Sequence, residues 1–223
     1  MPLKTLDQLI NRTEPAWPMV QQWIAAGTNP IEVLPTTEEA REKALLETQV
    51  TTRSPMGAVI YETGGILVDR GWLRILGSGH PRIPRSLPSW NRGRTMDGSE
   101  TPPPFLLVAD DAIGGFFAID GGGLEMEPGK VCYFAPDSLK WENTKRGYTD
   151  FLGFCFSGNL AQYYKDFRWP GWEAEVGAIS GNQVISIYPW MCTKGPSIAE
   201  RHRKPVPIDE TYRLFVDAGN EKP

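Results

Sequence analysis

Two kinds of side chain in this sequence could do chemistry, and both fall in Gly71 to Arg94, GWLRILGSGHPRIPRSLPSWNRGR. The first is His80, one of two histidines in the chain. An imidazole titrates near neutral pH and can act as a general base. Ser78 stands two residues before it, and Asp110, Asp111 or Asp137 could orient the ring if the fold brought one of them close. Such a triad is defined by geometry, not by spacing. The serine of GSG does not sit in the G-x-S-x-G turn of a nucleophile elbow. A histidine bonded to its own loop backbone is the plainer reading of His80. Asp110-Asp111 likewise reads first as a turn between two strands, because aspartate supports turns through its side-chain acceptor.

The second kind is arginine. From Asp69 to Arg94 there are six, Arg70, Arg74, Arg82, Arg85, Arg92 and Arg94, against one acid and no lysine. A planar guanidinium suits bidentate and stacking contacts. These side chains either present a charged surface, with Trp90 as an aromatic anchor, or tie an irregular loop to nearby carbonyls and acids. The candidate binding residues are therefore His80, Arg82, Arg85, Trp90, Arg92, Asp110 and Asp111.

Other motifs fail on inspection. Gly77-Ser78-Gly79-His80-Pro81-Arg82 starts like a dinucleotide fingerprint but lacks the third glycine, and Pro81 and Pro84 forbid the helix that would receive the pyrophosphate. Gly123 to Lys130 is one residue too long for a phosphate loop, with Val131 where the Ser or Thr for magnesium belongs. No Cys or His pair has zinc-ligand spacing. No metal and no cofactor are expected.

Positioning these residues falls to the flanking elements. Leu3, Leu6, Leu9 and Ile10 recur at helical spacing, and Pro15 opens a second helix that ends at Gly27. Thr28 to Pro35 is a connector with a short extended piece. Thr36 to Glu39 resembles a capping box, with a third helix following to Gln49. Met56 to Thr63 is a near-continuous apolar run and predicts a central strand, returning through a Gly64-Gly65 turn to Ile66-Leu67-Val68. Trp72 to Leu76 is the next strand. A long loop, residues 77–104, comes after it, kept from helix by Pro81, Pro84 and Pro88. Phe105–Ala109 and Gly115–Asp120 form a hairpin around Asp110-Asp111, and Lys130–Ala135 with Leu139–Glu142 another around Pro136-Asp137-Ser138. Tyr148 to Phe167 is helical and divided by Gly158. Trp172–Ile179 is a short helix, Gln183–Tyr188 a late strand, and Ile208–Ala218 a closing helix. Trp169 and Trp172 fill the junction to the C-terminal part, as large aromatics usually do.

Strands joined by short turns, with helices before and after, predict an α+β class: a central antiparallel sheet of about six strands flanked by N- and C-terminal helices. The whole of 1–223 reads as one domain, with a helical part at 1–49, the sheet at 56–142 and a second helical part at 148–223.

The chain carries eight Trp, seven Tyr and nine Phe and a net charge of −4, which excludes a disordered acidic protein and argues against wholesale nucleic-acid binding. Cys132 and Cys155 sit among apolar residues, so they read as buried reduced thiols and favour the cytoplasm. The N-terminal MPLKTLDQLINR lacks the apolar run of a signal peptide, and no membrane span is expected. The sequence specifies no oligomeric state.

The segments PAWPMVQQW, NPIEVLP, QVTTRSPMGAVIYETGGILVDRGWLRILGSGHPRIPRSLPSWN, FLLVADDAIGGFFAIDGG, YFAPDSLKWE and RWPGWEAEV resemble an uncharacterised bacterial family known as a domain of unknown function, across nearly the whole chain. A second resemblance is to the SUKH superfamily of bacterial toxin-immunity proteins. Leu106 to Asp120, Gly129 to Phe134 and Tyr148 to Leu152 follow its order of hairpin, strand and helix; the loop at 77–104 departs from it. That resemblance implies protein binding in the cytoplasm without catalysis, with a toxin as the partner. The leading expectation is thus a non-catalytic protein-binding module. The alternatives are a small-molecule or ester hydrolase using His80, and an anion- or RNA-binding surface built from the loop arginines.

Overall fold

Helices lead into the sheet: α1 (Leu6–Leu9), α2 (Trp17–Ala25), β1 (Ile31–Leu34), α3 (Glu38–Thr48) and α4 (Pro55–Glu62). The sheet continues with β2 (Gly65–Val68), β3 (Leu73–Leu76), the short helix α5 (Leu87–Asn91), β4 (Phe105–Asp111), β5 (Phe116–Asp120), β6 (Val131–Ala135) and β7 (Lys140–Arg146). Then come α6 (Tyr148–Ser157), α7 (Leu160–Tyr163), α8 (Trp172–Ala178), β8 (Gln183–Tyr188), β9 (His202–Pro207) and α9 (Ile208–Asn220). The structure is a computed structural model describing residues 3–97 and 101–220, the last four as backbone only; Gly98 to Glu100 of the long loop lie outside it.

β1 to β7 form an antiparallel meander in chain order, and β8 and β9 pair separately as a hairpin. The class is α+β, with seven strands in the main sheet where about six were expected.

Several local expectations are corrected. Met56–Thr63 is not a strand but α4 and its C-cap. Ser54 caps it by accepting from Gly57 N–H, and Pro55 occupies the first turn, where its missing amide costs nothing. Gly57 to Ile60 are buried, and an apolar run covered on all sides reads alike for helix and strand. Gly64-Gly65 is consequently no hairpin turn: Gly65 begins β2, which pairs with β1 and β3. The true turn is Asp69-Arg70-Gly71, with φ of 51°, 59° and 86°. Asp110 and Asp111 are not turn residues either. They end β4, and the chain reverses over Ala112 to Gly114. The capping box at Thr36–Glu39 does not form, since the cap is Thr37, accepting from Ala40 N–H. Finally, the prolines do not keep the long loop free of helix. Ser86 caps α5, and Pro88 falls in its first turn, where proline is tolerated.

Both faces of the central strands are covered. Successive strand residues point to opposite faces, and Phe116 and Phe117 show which layer lies on each. Phe116 meets Trp90 of α5 and Tyr212 of α9, at centroid distances of 6.4 and 5.0 Å. Phe117 meets Tyr133 and, on α6, Phe151, at 4.6 and 5.0 Å. By register, Asp110 lies opposite Phe116 and shares its face, while Asp111 points the other way, toward Tyr133. The two neighbouring aspartates therefore serve different layers.

Cys132 and Cys155 are buried and unbridged, and Cys192 is exposed. Burial pushes the Cys132 thiol up to about 11 and raises Cys155 as well. The thiolate is the reactive form. Titration of native protein with a thiol reagent should thus show one fast thiol, lost in Cys192→Ser, and two that react only on unfolding. Fast reaction of all three would contradict this packing.

Candidate functional site

The loop between β3 and β4 is held from behind by a buried ion cluster. Asp110 is fully buried, and each carboxylate oxygen faces a different guanidinium: Arg74 Nε at 2.6 Å and Arg85 Nη1 at 2.9 Å. Arg74 also donates to the carbonyls of Gln183 and Asp111, at 2.7 and 2.8 Å. Arg85 donates to Gly181 O at 2.6 Å and Asn182 Oδ1 at 3.0 Å. Burial pushes the Arg85 guanidinium below its ordinary range, and Asp110 opposes that shift. One acid thus joins β3, β4, the long loop and the start of β8.

Two further side chains complete the anchor. Trp90 is 3% exposed, and two guanidinium groups lie against its ring, Arg85 at 4.6 Å and Arg94 at 3.9 Å from the centroid. Asn91 is fully buried with its amide saturated. It donates to Leu87 O and Leu107 O, and accepts from Thr95 Oγ1 and Leu107 N–H. It pairs with Leu107 as a neighbouring strand would. Sequence reasoning missed Asn91; the signal available was a polar residue closing the apolar Leu-Pro-Ser-Trp turn.

The six arginines resolve the same way. Each has a carboxylate partner: Arg70 with Glu173, Arg74 and Arg85 with Asp110, Arg82 with Glu32, Arg92 with Glu47, and Arg94 with Asp209. Local charge is largely neutralised within the chain. Arg82 and Arg92 reach the surface, whereas Arg85, Trp90, Asp110 and Asp111 face inward.

His80 is half-buried, and its Nδ1 accepts from Arg82 N–H at 3.1 Å, the backbone contact expected of it. Ser78 turns away to Thr63 O at 2.8 Å. Asp110 is committed to arginines and Asp111 to Tyr133 Oη, which donates to it at 2.7 Å. Among the described residues, Ser78, His80, Asp110 and Asp111 assemble no Ser–His–Asp array. Asp111 also accepts from Ile113 and Gly115 N–H, and burial raises its carboxyl above the ordinary aspartate range. A Cβ at position 115 would run into both Asp111 Oδ2 and Tyr133 Oη, so glycine is required there.

In front of the anchored loop lies an open trough. A cavity of about 470 Å³ runs between α3 and the loop, past Thr37, Lys43, His80, Ser86 and Ser89 to Arg92. A second, of about 380 Å³, shares Glu47 and Arg92 with it. A third, of about 300 Å³, shares Gly93, Met96 and Asp97 with the second and is walled by Pro102 to Pro104. Of the expected binding residues, His80 and Arg92 line this trough. No group of three His, Cys, Asp or Glu among the described residues could hold a metal ion.

Residues 6–211 match the family described as a protein of unknown function, DUF2625. This chain belongs to that family. Within the family's reach are two curated bacterial relatives. The uncharacterized protein YbfG of Escherichia coli is 40% identical over 212 residues, covering 95% of each chain. An uncharacterized protein of Haemophilus influenzae is 41% identical over 212 residues, covering 95% of this chain and 93% of its own. No solved structure matches. Among the described residues, no helix is long and apolar enough to cross a membrane.

Proposed function

We propose that this protein is a non-catalytic binding module that takes an extended segment of a partner protein in the trough between α3 and the β3–β4 loop. The observation that carries the reading is the run of three adjoining cavities along a loop fixed from behind by Asp110, Trp90 and Asn91. A preformed wall loses little entropy when it binds. An extended peptide needs such a length of polar edge and shallow pockets. The arginines, already paired, favour this over a surface for free anions or RNA.

The class of partner follows from the resemblance to immunity proteins, which implies a toxin. The order of the β4–β5 hairpin, β6 and α6 supports that implication. Three unbridged cysteines support the cytoplasm as the compartment.

The test is capture from the native host on immobilised wild type and Ser89→Arg, followed by titration of each captured protein in purified form. Ser89 lines the trough, and among the described residues its side chain bonds only to the carbonyl of Ser86, the cap of α5. A partner seated in the trough should lose at least about tenfold in affinity, with the melting temperature unchanged. Equal affinity for both forms would defeat the reading.

A further inference from the structure

On the sheet face opposite to Asp110, five rings form a continuous arc. Phe151 meets Phe117, Phe117 stacks on Tyr133, Tyr133 meets Tyr163, and Tyr163 meets Phe154, at 5.0, 4.6, 6.0 and 5.1 Å. They enclose part of a cavity of about 270 Å³ between β5–β7 and α6–α7. Arg146, at the end of β7, lines the same cavity and lies 4.7 Å over the Phe154 ring; Glu142, Asn143 and Thr144 of the same strand complete the lining.

The charge of Arg146 is the informative feature. The side chain is half-buried, and among the described residues its one hydrogen bond runs from Nη1 to Thr144 O at 3.1 Å. The six arginines between Asp69 and Arg94 all meet a carboxylate, but none of the described acids lies within ion-pair distance of Arg146. A guanidinium partly withdrawn from water gains most from a planar anion that accepts two N–H bonds at once. Its stacking on Phe154 already supplies that ring face with a cation, which disfavours a cationic guest there, while Glu142, the acid of the lining, is solvent-exposed and screened.

We propose that this cavity binds a small planar aromatic carboxylate, with its ring against the aromatic arc and its carboxylate on Arg146. The volume lies just below the range of ordinary ligand pockets, about 300 to 1,000 Å³. The guest is thus a single-ring acid rather than a nucleotide. The floor is set by Tyr133, whose hydroxyl is pinned by Asp111 and keeps the ring fixed. The inference is independent of the trough, which lies elsewhere on the molecule.

The experiment compares phenylacetate, phenylacetamide and phenethylamine, nearly equal in size but anionic, neutral and cationic, by calorimetric titration of the full chain. Phenylacetate should bind at least about tenfold more tightly than the amide, and the amine should not bind. Arg146→Gln should abolish the preference for acid over amide while leaving weak binding of both. Tyr163→Leu, a change at a partly exposed ring, should weaken acid and amide alike. If Arg146→Gln fails to fold by circular dichroism, the wild-type series and Tyr163→Leu still decide. The proposal is overturned if wild type takes the amide or amine as well as the acid, or takes no phenylacetate at millimolar concentration. Acid binding unchanged by Tyr163→Leu, or acid preference kept by a folded Arg146→Gln, would overturn it equally.

Discussion

Asp110→Asn should lower the free energy of unfolding by about 3–5 kcal/mol, the cost of removing one member of a buried ion cluster. The substitution keeps the shape of the side chain but removes its charge. It leaves Arg74 and Arg85, 2% and 7% exposed, facing each other without compensation. Arginine does not readily shed its proton, so the pair cannot relax by neutralising. For a chain of this size the loss corresponds to roughly 10 °C in melting temperature. Arg82→Ala provides the contrast. Arg82 pairs with Glu32 where both side chains are more than half exposed, and such pairs contribute at most about 1 kcal/mol. Denaturant titrations of the two variants would settle the order. A larger loss in Arg82→Ala than in Asp110→Asn would mean that the inward cluster is not what fixes the loop.

Trp90→Ala should destabilise by a comparable amount, about 3–5 kcal/mol, through the cavity left by a large buried aromatic. The effect has two parts with different signatures. Removal of the ring takes apolar contact from Phe116 and Tyr212, at 6.4 and 5.8 Å, and so unlinks α5 from α9. It also strips the two guanidinium groups of the ring they both lie against. Trp90→Phe keeps an aromatic face at reduced size and should recover a substantial part of the loss. Hydrogen exchange should show the unlocking directly, with amides of 86–96 exchanging faster in Trp90→Ala while β5 and β6 stay protected. A melting temperature unchanged in Trp90→Ala would show that the ring is a surface anchor, as the sequence alone allowed, and not part of the core.

Much of the architecture was legible in the sequence because local patterns decide it. The meander from β3 onward followed from apolar runs punctuated by turn residues, the break between α6 and α7 from Gly158, and the closing helix from its periodicity. The bonding of His80 to its own loop was the plainer reading of a lone histidine without a nucleophile elbow beside it. The α4 segment was misread because burial on all sides erases the difference between the two periods, and only the Ser54-Pro55 start carried the helical signal. Asp110 and Asp111 were misread for a related reason: aspartate in a strand is uncommon, and only a partner brought from elsewhere makes it tolerable.

Those partners are what the tertiary structure alone supplied. Arg85 meets Asp110 across 25 residues and Gly181 across 96, and Tyr133 meets Asp111 across 22. No window of sequence contains such pairs. The sequence showed a loop dense in arginine with two equal destinies, outward contact or inward anchorage. The choice depended on where the acids lay in space, and the fold placed one beside every arginine of that loop. It left Arg146, a residue unremarkable in sequence, half-buried at an aromatic cavity with no described acid in ion-pair distance. Local chemistry set the elements. Long-range charge pairing decided which of their residues the molecule keeps for itself and which it leaves free to bind.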